Sequence, residues 1–204
     1  MNILFICTGN TCRSPMAEAL LKAKNDEFNV KSAGIFAGDG QPLSKNSAAV
    51  LKEMDLTCDH SSVALNEELL QWADLVFTMT DRHKEALAMQ YPHYEDKVFT
   101  LKEFVLIKDE DWKQLKFLYS NLEEKRLAIL TNTPEDVSDE ELEEKLQEEL
   151  KEDIQAIQKL EEQMPNMNIL DPYGMDIEVY RRTRDELNEL LDLLIKKLEA
   201  DLKG

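Results

Sequence analysis

Cys7 and Arg13, separated by five residues in the stretch FICTGNTCRSP (residues 5 to 15), pair a thiol able to act as a nucleophile with an anion-binding guanidinium. A thiolate attacks electrophilic phosphorus, and a guanidinium presents planar N–H pairs that match two phosphate oxygens. Thr8 to Cys12 lie between an apolar run and a helical pattern. Backbone N–H groups in such a loop turn inward around an anion, and the following helix adds its positive N-terminal end. Gly9 admits close backbone approach, and Asn10 tolerates a left-handed conformation. Ser14 can hydrogen-bond the thiolate, while Pro15 suits a first helical turn. The bare Cys-x5-Arg spacing is a weak signal, and its setting between strand and helix gives it weight. Loop, nucleophile and clamp specify phosphoryl transfer to sulfur, with Thr8, Gly9, Asn10, Thr11, Cys12 and Ser14 as the expected substrate-binding positions around Cys7 and Arg13.

Thiol-based phosphate removal also needs an acid for the leaving group and a base for the water that follows. One carboxylate can serve both steps in turn. Among 42 acidic residues, Asp171 stands out because Asp-Pro after an apolar pair fixes a rigid loop. Cys12 is either a small buried residue or a thiol that reversibly captures oxidised Cys7. Cys58 reads as structural. His60, His83 and His93 lack ligand spacing, so no metal and no cofactor are expected.

These groups must be positioned by alternating strands and helices. Asn2 to Cys7 is a continuous apolar run before Thr-Gly-Asn, with a helical pattern (Pro15, Met16, Ala19, Leu20) next. Phe28 to Ser32, Leu75 to Met79 and Val98 to Leu101 read as further strands, the last two preceded by helical Glu67 to Ala73 and Asp81 to Tyr91. The alternation predicts an α/β class: a single Rossmann-like domain with a four-stranded parallel sheet flanked by helices, its ligand site at the carboxyl ends of the strands. The opening stretch lies at such an end.

Residues 108–166 break this pattern. Counting residues 107 to 166 gives 18 acidic against 8 basic side chains, about −10 of the chain's −18. Two apolar stripes at helical spacing flank Thr-Asn-Thr-Pro, and Ser138 with Glu141 forms a capping-box signature. We expect an inserted antiparallel helical hairpin, about 109 to 131 and 139 to 164. The phosphatase-type domain then comprises 1–107 and 167–204, closed by a long amphipathic helix from Ile177 to Leu202. The hairpin stripes either pack within the protein or supply a surface for self-association or a partner.

The net charge of −18 opposes non-specific binding to nucleic acid or an anionic membrane. No stretch approaches a membrane span, and Met1 to Cys7 lacks the marks of a signal peptide. Three cysteines in 204 residues favour reduced thiols. A cytoplasmic protein is expected.

CTGNTCRSP resembles the N-terminal signature of the low-molecular-weight protein-tyrosine-phosphatase family, and DPYG its late Asp-Pro-aromatic loop. The resemblance covers about Met1 to Phe104 and Asn168 to Leu202. It implies Cys7 as nucleophile, Arg13 as phosphate clamp, Ser14 as hydrogen-bond donor to the thiolate and Asp171 as general acid, acting on phosphorylated proteins. Asn10, Ser32 and His60 would support the loop. Phe36 and Tyr173 would form opposite walls of the pocket mouth.

Thr11 bears on the substrate. Tyrosine-directed members carry Ile or Leu there, an apolar surface for a phenyl ring, whereas threonine is smaller and polar. A phosphoarginine guanidinium gains little from an aliphatic wall but can use a hydroxyl and a carboxylate. CTGNT, Phe36 and Met79-Thr80 resemble the arginine-phosphatase branch; Tyr173 resembles the tyrosine-directed members. Arsenate reductases on this fold need further downstream cysteines, and only Cys58 follows Cys12.

Overall fold

The run NILFIC is apolar with β-branched and aromatic residues, and it forms the central strand β1 (Asn2–Cys7). The computed structural model describes residues 1–134 and 137–201. β1 pairs in parallel with β2 (Asn29–Gly34) on one side and β3 (Leu75–Thr78) on the other, and β4 (Val98–Thr100) completes the order β2-β1-β3-β4. Alternate β1 residues face opposite sides of the sheet, as the period of two requires. Ile3 and Phe5 join one core with α1 (Arg13–Lys24), α2 (Lys45–Lys52) and α8 (Ile177–Asp201). Leu4 and Ile6 join a second with α3 (Glu67–Trp72) and α4 (Asp81–Gln90). Both faces of the sheet are thus covered. This explains why the strands read as continuous apolar runs. The doubly covered parallel sheet is the α/β arrangement read from the sequence.

The chain divides into two compact units, residues 1–105 with the segment from 167 onward, and residues 106–166. The second unit holds α6 (Asp109–Asn132) and α7 (Asp139–Glu161). Tyr119 bonds Glu161, Lys125 bonds Asp153 and Lys145 bonds Thr133, so the two helices run antiparallel. Ser138 and Glu141 form the capping box.

Several boundaries differ from the reading above. Leu101 is not strand: Thr100 Oγ1 accepts the Glu103 N–H at 3.0 Å and turns the chain into α5 (Leu101–Leu106). α7 ends at Glu161 because Gln163 and Met164 bond back only three residues and Pro165 disfavours helix before it. α2 was not anticipated, since its eight residues bury only Ser47, Val50 and Leu51. The expected C-terminal end at Leu202 lies outside the described residues.

Candidate active site

β1 delivers Cys7 to the sheet's carboxyl edge, and α1 begins at Arg13, so the five residues between them must reverse direction in a tight loop. Asn10 makes this possible by adopting φ +52°, a left-handed conformation that asparagine tolerates. The geometry turns its side chain inward, where it is fully buried. Its amide donates to Ser14 Oγ (2.9 Å) and Ser32 Oγ (2.8 Å), while its Oδ1 accepts the Val63 N–H (2.9 Å). His60 Nε2 donates to the Asn10 carbonyl at 2.6 Å. Asn10, Ser32 and His60 therefore lie together behind the loop. Ser32 in turn donates to Glu18 Oε2 (2.6 Å), a network member that the sequence reading missed although Glu18 stands one helical turn after Ser14.

Ser14 Oγ lies 3.0 Å from Cys7 Sγ and 3.3 Å from the Ala33 carbonyl. The Asn10 amide occupies a lone pair on Ser14, which leaves the hydroxyl proton to point at Cys7 or Ala33. The Asn10 and Ser14 side chains are buried beneath the loop and bear on the site through its shape and through Cys7.

The cleft above the loop, about 330 Å³, is lined by Cys7, Thr8, Gly9, Thr11, Cys12, Arg13, Phe36, Gly38, Gln41, Asp171 and Tyr173. Gly38 and Gln41 were not foreseen, because nothing in their residue types marks them. Phe36 (79 % exposed) and Tyr173 (72 %) stand at the mouth. Cys12 is buried, its Sγ 3.6 Å from the Tyr180 hydroxyl. Burial, reinforced by Cys12, pushes that hydroxyl's pKa up to about 12.

Arg13 is only 4 % exposed. Its Nη1 donates to the Ile169 carbonyl (3.2 Å) and its Nη2 to Asp171 Oδ2 (2.6 Å), while its buried Nε has no hydrogen-bond partner among the described residues. A buried N–H without an acceptor is costly, and in a residue that lines the cleft it favours an anion. Asp171 accepts the Tyr173 N–H on Oδ1 (3.2 Å), so the Asp-Pro turn aims its other oxygen at Arg13. The Ile169 N–H bonds the Met79 carbonyl (2.9 Å) and docks this loop on the end of β3.

His83, set aside above as lacking metal-ligand spacing, also reaches the site. Its Nε2 is 2.9 Å from Thr8 Oγ1. Burial, helped by the charge of Arg13 and opposed by Asp171, lowers its pKa to about 4.

The glycine that the loop most needs is Gly34, at the end of β2. A Cβ there would lie 2.8 Å from the Thr8 carbonyl, the Asn10 nitrogen and the Ala37 side chain. At Gly9 a Cβ would meet only Thr11 Oγ1, at an ordinary 3.8 Å.

Residues 2–116 match the family model described as low molecular weight phosphotyrosine protein phosphatase. The protein-arginine-phosphatase of Bacillus subtilis (strain 168) is 36% identical over 205 residues, covering 98% of this chain and 99% of that one. The solved YwlE arginine phosphatase from Geobacillus stearothermophilus superposes with a TM-score of 0.68 at 34% identity, covering 98% and 94% of the two chains. A cysteine-to-serine mutant of YwlE arginine phosphatase with a phosphorylated active-site serine superposes with a TM-score of 0.68 at 34% identity, covering 98% of this chain and 97% of that one.

Proposed function

Because the chain belongs to the low molecular weight phosphotyrosine protein phosphatase family, and is a protein phosphatase, we propose that it hydrolyses phosphoarginine in proteins through a cysteinyl-phosphate. The observation that carries the choice of substrate is Thr11, a small hydroxyl-bearing residue lining the cleft together with Asp171, where an aliphatic wall would suit a phenyl ring. The protein-arginine-phosphatase name of the Bacillus subtilis relative, matched over nearly the full length of both chains, supports it.

In this reading the loop N–H groups and Arg13 hold the phosphoryl oxygens, and Cys7 Sγ attacks phosphorus in line. The P–N bond breaks as Asp171 gives its proton to the departing guanidine nitrogen. Asp171, now a carboxylate, takes a proton from a water that attacks phosphorus. The S–P bond breaks, phosphate leaves, and Ser14 donates to the Cys7 thiolate as it forms. Asp171 at 2.6 Å from Arg13 Nη2 keeps the acid beside the clamp that holds the reacting group.

The second reading, phosphotyrosine hydrolysis by the same steps, is favoured by Phe36 and Tyr173, two exposed rings between which a phenyl could lie. Comparing kcat/KM on phosphoarginine and phosphotyrosine peptides separates them, and a clear preference for phosphotyrosine removes the first. Thr11→Ile is expected to lose phosphoarginine activity far more than activity on an aryl phosphate; equal losses would reduce Thr11 to a packing residue. We assign the protein to the cytoplasm, where its three free thiols stay reduced. Among the described residues no helix is long and apolar enough to cross a membrane. We further assign partner binding or self-association to the 108–166 hairpin, tested by deleting it and measuring oligomeric state and turnover.

A further inference from the structure

Thr8 follows the nucleophile directly and faces the cleft, yet its hydroxyl is tied to a residue seventy-five positions away. His83 is 8 % exposed, and both its ring nitrogens are engaged, Nε2 with Thr8 Oγ1 and Nδ1 with Thr80 Oγ1, each at 2.9 Å. Thr80 caps α4, and its Oγ1 already accepts the His83 backbone N–H at 3.2 Å. The Thr80 hydroxyl has its own proton to give to Nδ1, and in that arrangement the neutral imidazole carries its proton on Nε2. That proton is donated to Thr8 Oγ1, which fills a Thr8 lone pair and leaves the Thr8 hydroxyl proton as the group to be offered elsewhere. The nearest unfilled need is in the cleft.

We propose that His83 is a positioning residue: its Nε2–H fixes the Thr8 hydroxyl as a donor to a phosphoryl oxygen bound over Cys7. The proposal rests on the phosphatase reading of the site. The polarity runs in one direction along Thr80, His83 and Thr8, and it ends at the anion rather than at the reacting atoms. His83 thus affects anion affinity through Thr8 and takes no proton in the reaction. The low imidazole pKa agrees, since the ring stays neutral through the physiological range. The sequence carries no local sign of this link, because α4 and the loop meet only when β3 is placed beside β1.

The test titrates inorganic phosphate into the full-length protein by calorimetry, alongside kcat and KM on an aryl phosphate. His83→Leu is expected to weaken phosphate binding and raise KM about fivefold, the loss of one hydrogen bond, with a smaller change in kcat. His83→Gln, whose amide N–H reaches close to the position of Nε2, is expected to restore binding to within about twofold. Thr8→Val is expected to match His83→Leu, and Thr8→Ser, which keeps the hydroxyl, to restore phosphate binding to within about twofold. In the Thr8→Val background, His83→Leu should cost nothing further. An additive double mutant, a His83→Gln as weak as His83→Leu, or a Thr8→Val that binds phosphate normally would overturn the proposal. If His83→Leu does not fold, His83→Asn, whose shorter amide does not reach Thr8, replaces it in the same comparison. A protein without turnover on phosphoarginine or on any phosphoester would refute the phosphatase reading while the phosphate titration still judged His83.

Discussion

Replacing Asn10 with alanine tests the support of the loop most directly. The side chain makes two donated hydrogen bonds, to Ser14 and Ser32, and accepts one from Val63, all at 2.8 to 2.9 Å. The two to buried serines are worth about 1 kcal/mol each, and the third less, because Val63 is exposed and its N–H can rehydrate. Alanine at φ +52° adds about 1 kcal/mol of backbone strain. The expected cost is about 3 kcal/mol, which lowers Tm by about 6 to 12 °C in a chain of this size. Asn10→Gly loses the same bonds without the strain and should melt about 2 to 4 °C above Asn10→Ala. Both should lose kcat, because the loop loses the bond that holds Ser14 beside Cys7. Calorimetric melts at fixed phosphate concentration, since a bound anion itself stabilises, give the comparison. A Tm within 2 °C of wild type, or a glycine variant no better than the alanine one, would refute the reasoning.

Gly34→Ala should cost about 1 to 3 kcal/mol and weaken phosphate binding, because the added methyl presses on the backbone of the loop itself; phosphate titration and a thermal melt check this. Asp171→Asn should lower kcat by about 10² to 10⁴ with little change in Tm, its carboxylate being half exposed, and single-turnover kinetics would detect the loss of leaving-group protonation. His83 has a folded-state pKa of about 4, below its unfolded value, so the unfolded chain binds more protons between about pH 4 and 6.5. Its contribution of about 2 to 3 kcal/mol is full above that window and is lost as the pH falls through it. Urea unfolding at pH 7 and 4.5 should show a smaller acid loss for His83→Gln than for wild type.

What could be read in advance was local in the chain. Cys7 to Pro15 announce their chemistry because nucleophile, turn residues, clamp and helix start are consecutive, and β1 is legible because a strand buried on both faces must be apolar throughout. Asp171 was legible only through its proline, which fixes a loop wherever the fold puts it. Residues recruited across the sheet were silent. Glu18 and His83 look like ordinary helix residues until Ser32 and Thr8 are brought against them. Gly34 was silent for the same reason, since its requirement is space beside a loop from another strand. The inward turn of the Asn10 side chain follows from its φ of +52°, a value that composition does not record.

The loop carrying Asp171 is separated from α5 by about sixty residues, yet Lys102 Nζ donates to the Asn168 carbonyl at 3.0 Å, so the chain leaves and returns at nearly one place. Closing a flexible segment of that length costs about 2 kcal/mol more chain entropy than closing one of six residues. An antiparallel helix pair brings its two ends together and removes most of that difference. The acid then docks as though a short linker held it, and both arms of the hairpin can gain or lose whole turns without displacing Asp171.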